Sequence, residues 1–323
     1  MRHIFMKAIA WILCATSLGV HANVGFTWQE VEYQHKFADF NGDGIADLFL
    51  QANDDTQVSR FVLGAVENEA VQYLPENQFL LPQLIYQLSW SVENAEIRTA
   101  DFNGDAFDDL LVAFAGRELA VTFLGNEQGL NLSLSPDHSY STTELPWLND
   151  KRDFDIYPGD FNGDFRQDLL AVSQDKYEHY LMHSDENGQL SVAQKIKKNV
   201  QWGKKKAERI IILDYNNDGR DDVFALAKKK NKKHYVALSD ENGHLKKAKK
   251  IKEKIQNKHW NSDDYTVLPG YANNDDYLDL IRLNNRGGGV DENGETIEPP
   301  ADGDFDDVND SCDQLFMTPE SEE

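Results

Sequence analysis

Four short apolar runs punctuate the chain: Leu48-Phe49-Leu50, Leu110-Leu111-Val112-Ala113-Phe114, Leu169-Leu170-Ala171-Val172 and Val223-Phe224-Ala225-Leu226. Runs this short, bounded by polar turn residues, predict strands buried on both faces rather than helices. Further along each unit lies a second turn signal. Asn187-Gly188 and Asn242-Gly243 sit between extended segments, as hairpin turns do, and Gly125-Asn126-Glu127-Gln128-Gly129 is a looser version. His179-Tyr180 recurs as His234-Tyr235, and Ser184-Asp185-Glu186-Asn187-Gly188 as Ser239-Asp240-Glu241-Asn242-Gly243. The expected unit is therefore strand, polar loop, buried strand, third strand, hairpin turn, fourth strand. One segment is ambiguous: Leu190, Val192, Ile196 and Val200 have strand parity, whereas Leu245, Ala248, Ile251 and Ile255 are spaced for a helix. Because both follow the same turn, both are expected to be strands.

The polar loop ahead of each buried strand repeats more closely than the strands do. It reads Asp39-Phe40-Asn41-Gly42-Asp43, Asp101-Phe102-Asn103-Gly104-Asp105, Asp160-Phe161-Asn162-Gly163-Asp164, Asp214-Tyr215-Asn216-Asn217-Asp218 and Tyr271-Ala272-Asn273-Asn274-Asp275. Another acid closes each nine-residue pattern, at Asp47, Asp109, Asp168, Asp222 and Asp279. Side-chain oxygens at positions 1, 3, 5 and 9, with a backbone carbonyl at position 7, suit a hard divalent cation such as Ca2+. The carbonyl position is Ile45, Phe107, Arg166 and Arg220 in the first four loops. Position 4 is Gly or Asn, the residues that enter left-handed backbone most readily. Plain Asx turns would account for one such loop, but regular recurrence favours a cation. In the fifth loop Tyr271 replaces the first carboxylate. EF-hands are excluded, because position 12 is Leu50, Val112, Ala171 and Ala225 instead of Glu, and a strand follows instead of a helix.

Successive loops begin 54 to 62 residues apart, a period that marks repeated supersecondary units, and four antiparallel strands per unit describe a propeller blade. The Asp-Phe-Asn-Gly-Asp loops, followed by Asp-Leu and a strand, resemble the FG-GAP or VCBS repeats of integrin-alpha-type β-propellers over roughly residues 30–290. That resemblance implies an all-β propeller of four-stranded antiparallel blades, with calcium-binding loops on one face, serving adhesion, ligand binding or scaffolding. The chain departs from the family in showing about five repeats instead of seven, the fifth weakened in its loop and glycine-rich at Arg286-Gly287-Gly288-Gly289. A closed five-bladed ring, a partial propeller and a fragment completed by a partner all remain open.

Residues 1–22 read as a secretory signal peptide: Arg2 and Lys7, then the mostly apolar Ala8–Leu18, then small residues around Val20-His21-Ala22. The apolar stretch is too short to span a bilayer, and Leu13 ahead of Cys14 argues against lipoprotein processing. A secreted product, periplasmic or extracellular, is expected. Removing Cys14 leaves Cys312 as the only cysteine, so no intrachain disulfide is expected.

Charge is uneven. The formal net charge is −24, yet residues 195–258 hold 20 of the 32 Lys and Arg residues. Two readings stand: a surface for an acidic polysaccharide or other polyanion, or solvated lysines that protect strand edges. Nucleic acid is disfavoured, because aromatic and arginine residues do not interleave the lysines. From residue 291 onward the chain carries 13 acids and neither Lys nor Arg. There Asp302, Asp304, Asp306, Asp310 and Asp313 resemble a thrombospondin type 3 calcium repeat, with Asp307 where that family has Gly and one cysteine missing; a disordered acidic tail is the competing reading.

No nucleophile elbow, zincin motif, phosphate loop or cysteine pair is present. His179 and His183, four apart on an expected strand, would lie about 13 Å apart, too far to share a metal. The expected function is binding rather than catalysis, with glycans, acidic polysaccharide or another surface protein as partner. A calcium-dependent polysaccharide hydrolase or lyase is the alternative, since two carboxylates from distant positions suffice for glycoside hydrolysis.

Overall fold

The computed structural model describes residues 32–67, 70–81, 84–85, 88–114, 118–130, 136–149, 154–173, 179–196, 209–226, 234–251, 265–270, 279–284 and 312–315. By contacts the chain forms two units, residues 1–160 with 164–196, and residues 161–163 with 197–323.

The first unit contains three four-stranded antiparallel sheets, each a meander in which sequential strands are neighbours. Sheet one runs β1 (Tyr33–Ala38), β2 (Asp47–Ala52), β3 (Arg60–Glu67) and β4 (Ala70–Leu80). A two-residue pair, β5 (Leu84–Ile85) and β6 (Leu88–Ser89), precedes sheet two. Sheet two comprises β7 (Ala95–Ala100), β8 (Asp109–Phe114), β9 (Leu119–Phe123) and β10 (His138–Ser141). Sheet three comprises β11 (Phe154–Gly159), β12 (Asp168–Ser173), β13 (Tyr180–Met182) and β14 (Gln194–Lys195).

The second unit contains a fourth such sheet, β15 (Arg209–Leu213), β16 (Asp222–Leu226), β17 (Tyr235–Ala237) and β18 (Lys249–Lys250). Its other sheet has three strands, β19 (Tyr265–Gly270), β20 (Asp279–Asn284) and β21 (Cys312–Leu315). Thus four residues of the acidic segment form a strand, with Asp313 opposite Arg282.

The four apolar runs are the second strands. Every residue of β2, β8, β12 and β16 is buried, which explains runs of apolar residues without polar alternation. Loop and hairpin geometry fix the register: the position-1 and position-9 acids frame each loop, and Ala38 pairs with Asp47, Ala100 with Asp109, Gly159 with Asp168 and Leu213 with Asp222. Position 2 of the first three loops, Phe40, Phe102 and Phe161, is fully buried. Phe40 joins a core with Phe49, Trp90, Val112 and Phe123, while Phe102 joins another with Tyr140, Ile156 and Met182. Each of these three loops is thus anchored by a buried aromatic ring.

Among the described residues, up to Ile196 and Ile251, the contested segments carry the two-residue strands β14 and β18 plus the bridges Ser184–Leu190 and Ser239–Leu245; Val200 and Ile255 lie outside the described residues. No described residue there is helical. Lys249 and Lys250 form the last strand of the fourth sheet and are exposed, as are Lys246 and Lys247. That placement fits lysines that blunt a sheet edge. The clusters at 204–206 and 228–233 lie outside the described residues.

His179 supplies a pH-dependent term. It is buried, its Nδ1 accepts the Ser173 N–H at 3.1 Å, and burial lowers its pKa to about 4. Between about 6.5, the unfolded value, and 4, the unfolded chain takes up a proton that the folded one refuses. Stability from this group is therefore full above about pH 6.5 and lost as pH falls toward 4, by roughly 2 kcal/mol from pH 7 to pH 5. His179→Asn, which retains an acceptor for Ser173, is expected to flatten the pH dependence of the urea midpoint by that amount. Equal pH dependence in both proteins would contradict it.

Candidate metal centre

The four loops share one hydrogen-bonding scheme. Position 4 has positive φ in each: Gly42 at 68°, Gly104 at 76°, Gly163 at 77° and Asn217 at 56°. That reversal lets the position-1 carboxylate accept the N–H groups of positions 5 and 6. Asp39 accepts from Asp43 at 3.1 Å and Gly44 at 2.8 Å, and Asp101 from Asp105 at 3.2 Å and Ala106 at 2.9 Å. Asp160 accepts from Asp164 at 3.1 Å and Phe165 at 2.8 Å, and Asp214 from Asp218 at 3.1 Å and Gly219 at 2.8 Å. Position 5 then accepts the N–H of position 7: Asp43 from Ile45, Asp105 from Phe107, Asp164 from Arg166 and Asp218 from Arg220, at 2.8 to 3.1 Å.

Position 9 has a second duty. Asp47, Asp109, Asp168 and Asp222 are completely buried. Asp47 accepts from the Phe40 and Gly64 N–H groups, both at 2.9 Å, and Asp109 from those of Phe102 and Gly125, both at 2.8 Å. Asp222 accepts from Tyr215 at 3.2 Å and Ser239 at 2.7 Å, and Asp168 from Ser184 at 3.0 Å. This carboxylate clamps the loop to the third strand at Gly64 and, in the other sheets, to the residue two positions past the third strand, Gly125, Ser184 and Ser239. Burial raises the pKa of Asp47 to about 7, Asp109 to about 8 and Asp222 to about 7, against the lowering effect of those bonds; the position-1 and position-5 carboxylates add to the rise. Burial likewise pushes Asp101 and Asp214 up.

Neighbouring loops in the first unit are also tied together. Asp108 N–H donates to the Asp39 carbonyl at 2.8 Å, and the Asp108 carboxylate accepts the Asp39 N–H at 2.7 Å. Burial pushes that carboxyl up to about 6. Gln167 N–H repeats the first bond to the Asp101 carbonyl at 2.8 Å.

Two features divide the loops. Arg166 and Arg220, at position 7, form ion pairs with Asp164 and Asp218, whereas Ile45 and Phe107 stand at that place in loops one and two. In the third sheet His183 replaces the leucine that precedes the clamped residue elsewhere, Leu63, Leu124 and Leu238. Its Nδ1 lies 2.8 Å from Asp168. Burial alone would lower the His183 pKa, but the Asp168 bond and the charges of Asp168, Asp164 and Asp160 raise it. His179 and His183 therefore have separate tasks.

The expected ligands Asp39, Asn41, Asp43 and Asp47, then Asp101, Asn103, Asp105 and Asp109, and Asp214, Asn216, Asp218 and Asp222, each lie within one tight loop. Asp160, Asp164 and Asp168 do so in the third, whose Asn162 belongs to the second unit. Loop five at 271–278, and Asp302, Asp304, Asp306 and Asp310, lie outside the described residues. Among the described residues no three acidic or histidine side chains converge as a finished metal cage; the carboxylates turn toward amide N–H groups instead. The donor set nevertheless suits a hard cation: all are oxygens, and Asn216 Oδ1 at position 3 is a buried acceptor without a hydrogen-bond partner. The clamp duty of position 9, the arginine pairs and His183 were not anticipated from the sequence. Aligning the repeats on the third strand would have exposed His183 as the odd member.

No family model and no curated protein matches the chain. Among solved structures it is similar to a lectin from Agrocybe aegerita, studied for specific recognition of non-reducing terminal N-acetylglucosamine, with 15% identity and a TM-score of 0.58 over 78% of this chain. The match spans 61% of the lectin's length. A rhamnogalacturonan lyase from Bacillus licheniformis aligns over 78% of this chain and 47% of its own, at 11% identity and a TM-score of 0.42. The likeness to the lectin is one of fold: the chain is all-β, built of four-stranded antiparallel blades of the propeller type. Among the described residues no helix is long and apolar enough to cross a membrane.

Proposed function

We propose that this is a secreted, calcium-binding propeller module that works by binding, with a glycan as its ligand class and adhesion or surface assembly as its use. The observation that carries the calcium half is the fourfold loop, in which a fully buried carboxylate and two or three other oxygen-bearing side chains crowd into nine residues. Burial and neighbouring carboxylates push Asp47, Asp101, Asp109, Asp214 and Asp222 toward protonation, and a divalent cation offsets both effects. Asp and Asn side chains at positions 1, 3, 5 and 9 would hold it in loops one, two and four, and Asp160, Asp164 and Asp168 in loop three, with the carbonyls of Ile45, Phe107, Arg166 and Arg220 as further donors. The ion would cross-link loop and strand, a structural duty.

The glycan half is supported by likeness of fold to a lectin. It is tested by applying the mature protein to an array of neutral, N-acetylglucosamine-terminated and acidic glycans, with calcium and with chelator. Retention on a defined glycan class that chelator weakens is expected. Absence of retention on every glycan in calcium would contradict the reading.

A second reading, chemistry on a polysaccharide, has one observation in its favour. On β7 and β11, Glu96, Arg98, Asp155 and Tyr157 gather: Arg98 pairs with Glu96 at 2.5 Å and donates from Nε to the Ile156 carbonyl at 2.9 Å. Burial raises the Glu96 pKa, opposed by Arg98, and also raises that of the Tyr157 phenol, with Asp155 adding to it. A carboxyl whose pKa burial raises, beside another acid, is a candidate proton donor. Incubation with a polysaccharide panel, read as new reducing ends or unsaturated products, decides between the two.

A further inference from the structure

The four loops differ at position 7, and the difference places a positive charge inside two of them. The Arg166 and Arg220 guanidinium groups pair with Asp164 and Asp218, and these side chains are only about a quarter exposed, at 27% and 24%. The same Asp carboxylates accept the backbone N–H of their own arginine through the other oxygen. Both oxygens of the position-5 ligand are thus engaged before any metal arrives. In loops one and two both oxygens of Asp43 and Asp105 are engaged as well, but by neutral donors only, a backbone N–H and the amide of Asn41 or Asn103. The equivalent Asn216 amide also reaches Asp218 in loop four, so the guanidinium is what differs.

The arginines are also held in place. A Cβ on Gly104 would lie 2.9 Å from Arg166 Cγ, and one on Gly163 would lie 3.0 Å from Arg220 Cγ. Each stem is therefore packed against the position-4 glycine of another loop. Phe107 packs likewise on Gly42, at 2.7 Å from the same construction. Position 7 thus has this packing role in loops two, three and four, whereas Ile45 of loop one packs against Gly64; it has an electrostatic role in loops three and four only. A packed stem orders the guanidinium, which reduces the entropy cost of pairing.

We propose that Arg166 and Arg220 are built-in cations that compete with a divalent ion for Asp164 and Asp218, dividing the loops into a tight pair, one and two, and a weak pair, three and four. The inference rests on the calcium reading. An ion entering loop three or four must displace or share a guanidinium, and must accept a nearby positive charge. An ion entering loop one or two meets neither obstacle.

The test is calcium titration calorimetry on the full mature protein, with terbium luminescence as a second readout. Two affinity classes are expected in the wild type. Arg166→Met with Arg220→Met keeps both stems over their glycines and is expected to tighten the weak class by about 3- to 5-fold, the range of one partly exposed ion pair per site. Ile45→Arg, made separately, is expected to move one tight site into the weak class. Unchanged affinities in both variants, while Asp43→Ala still removes one site, would overturn the competition and leave the calcium reading standing. Absence of any calcium heat or terbium signal in the wild type would overturn both.

Discussion

Asp109→Ala is expected to destabilise the protein by about 3–5 kcal/mol, the loss associated with stripping a buried carboxylate from two amide donors. The side chain is fully buried, with its oxygens 2.8 Å from the N–H groups of Phe102 and Gly125. Alanine leaves both donors without this acceptor, opens a void and frees the loop from Gly125, just past the third strand. Phe102, fully buried in its core, is the residue whose backbone is released. Loop two should lose its ion at the same time. The urea midpoint in calcium measures the first effect and calcium stoichiometry the second. Asp105→Ala, whose carboxylate is at the exposed side of the loop, should lose the ion with much less effect on the midpoint in chelator. Similar midpoints for both variants in chelator would show that position 9 is only a ligand and not a clamp.

Gly125→Ala should rank next, at roughly 2–4 kcal/mol, the cost of forcing an atom into a packed site plus the weakened clamp. Its Cβ would fall 2.5 Å from the Asp108 carbonyl oxygen, 2.8 Å from Phe107 Cβ and 2.9 Å from the Phe40 carbonyl oxygen. Two of these are backbone atoms, and Phe40 O already accepts the Asn126 N–H at 3.2 Å. Gly44→Ala is the control. Its φ of 79° is unfavourable to alanine, but no atom lies within 4 Å of the added carbon, so about 1 kcal/mol is expected. Urea midpoints compare them directly, and equal losses would mean that the chain at Gly125 does not need its close approach to Asp108.

The third and fourth sheets meet that close approach differently. Ser184 and Ser239 occupy the place of Gly64 and Gly125, and their hydroxyls donate to the Gln167 carbonyl at 2.9 Å and the Asp221 carbonyl at 2.5 Å. The sequence shows Gly, Gly, Ser and Ser at this position, but only the structure shows that all four answer to the same carbonyl. The strands and their order were legible because period, apolar runs and turn residues agree: Leu110 to Phe114 is buried end to end, and Asn187-Gly188 and Asn242-Gly243 turn where expected. The outer strands were less legible. Lysine-rich edges have no buried face to impose a period, so β14 and β18 shrink to two residues. Within the loops, ligand-type residues were visible by spacing alone. Their competing duties were not, because Asp168 meeting His183 and Asp39 meeting Asp108 depend on contacts 15 and 69 residues apart.

The measurement closest to the central claim is thermal melting of the mature protein in 10 mM calcium, in magnesium and in excess chelator. With extracellular-type dissociation constants of about 0.1–1 mM, each occupied loop adds roughly 1.4–2.7 kcal/mol, and a midpoint rise of about 5–15 °C in calcium over chelator is expected for the ensemble of loops. Magnesium should give only a fraction of it, because irregular oxygen loops do not offer a rigid octahedron. A midpoint that stays within about 1 °C in all three conditions, where calcium at several times its dissociation constant must raise it, would contradict the account.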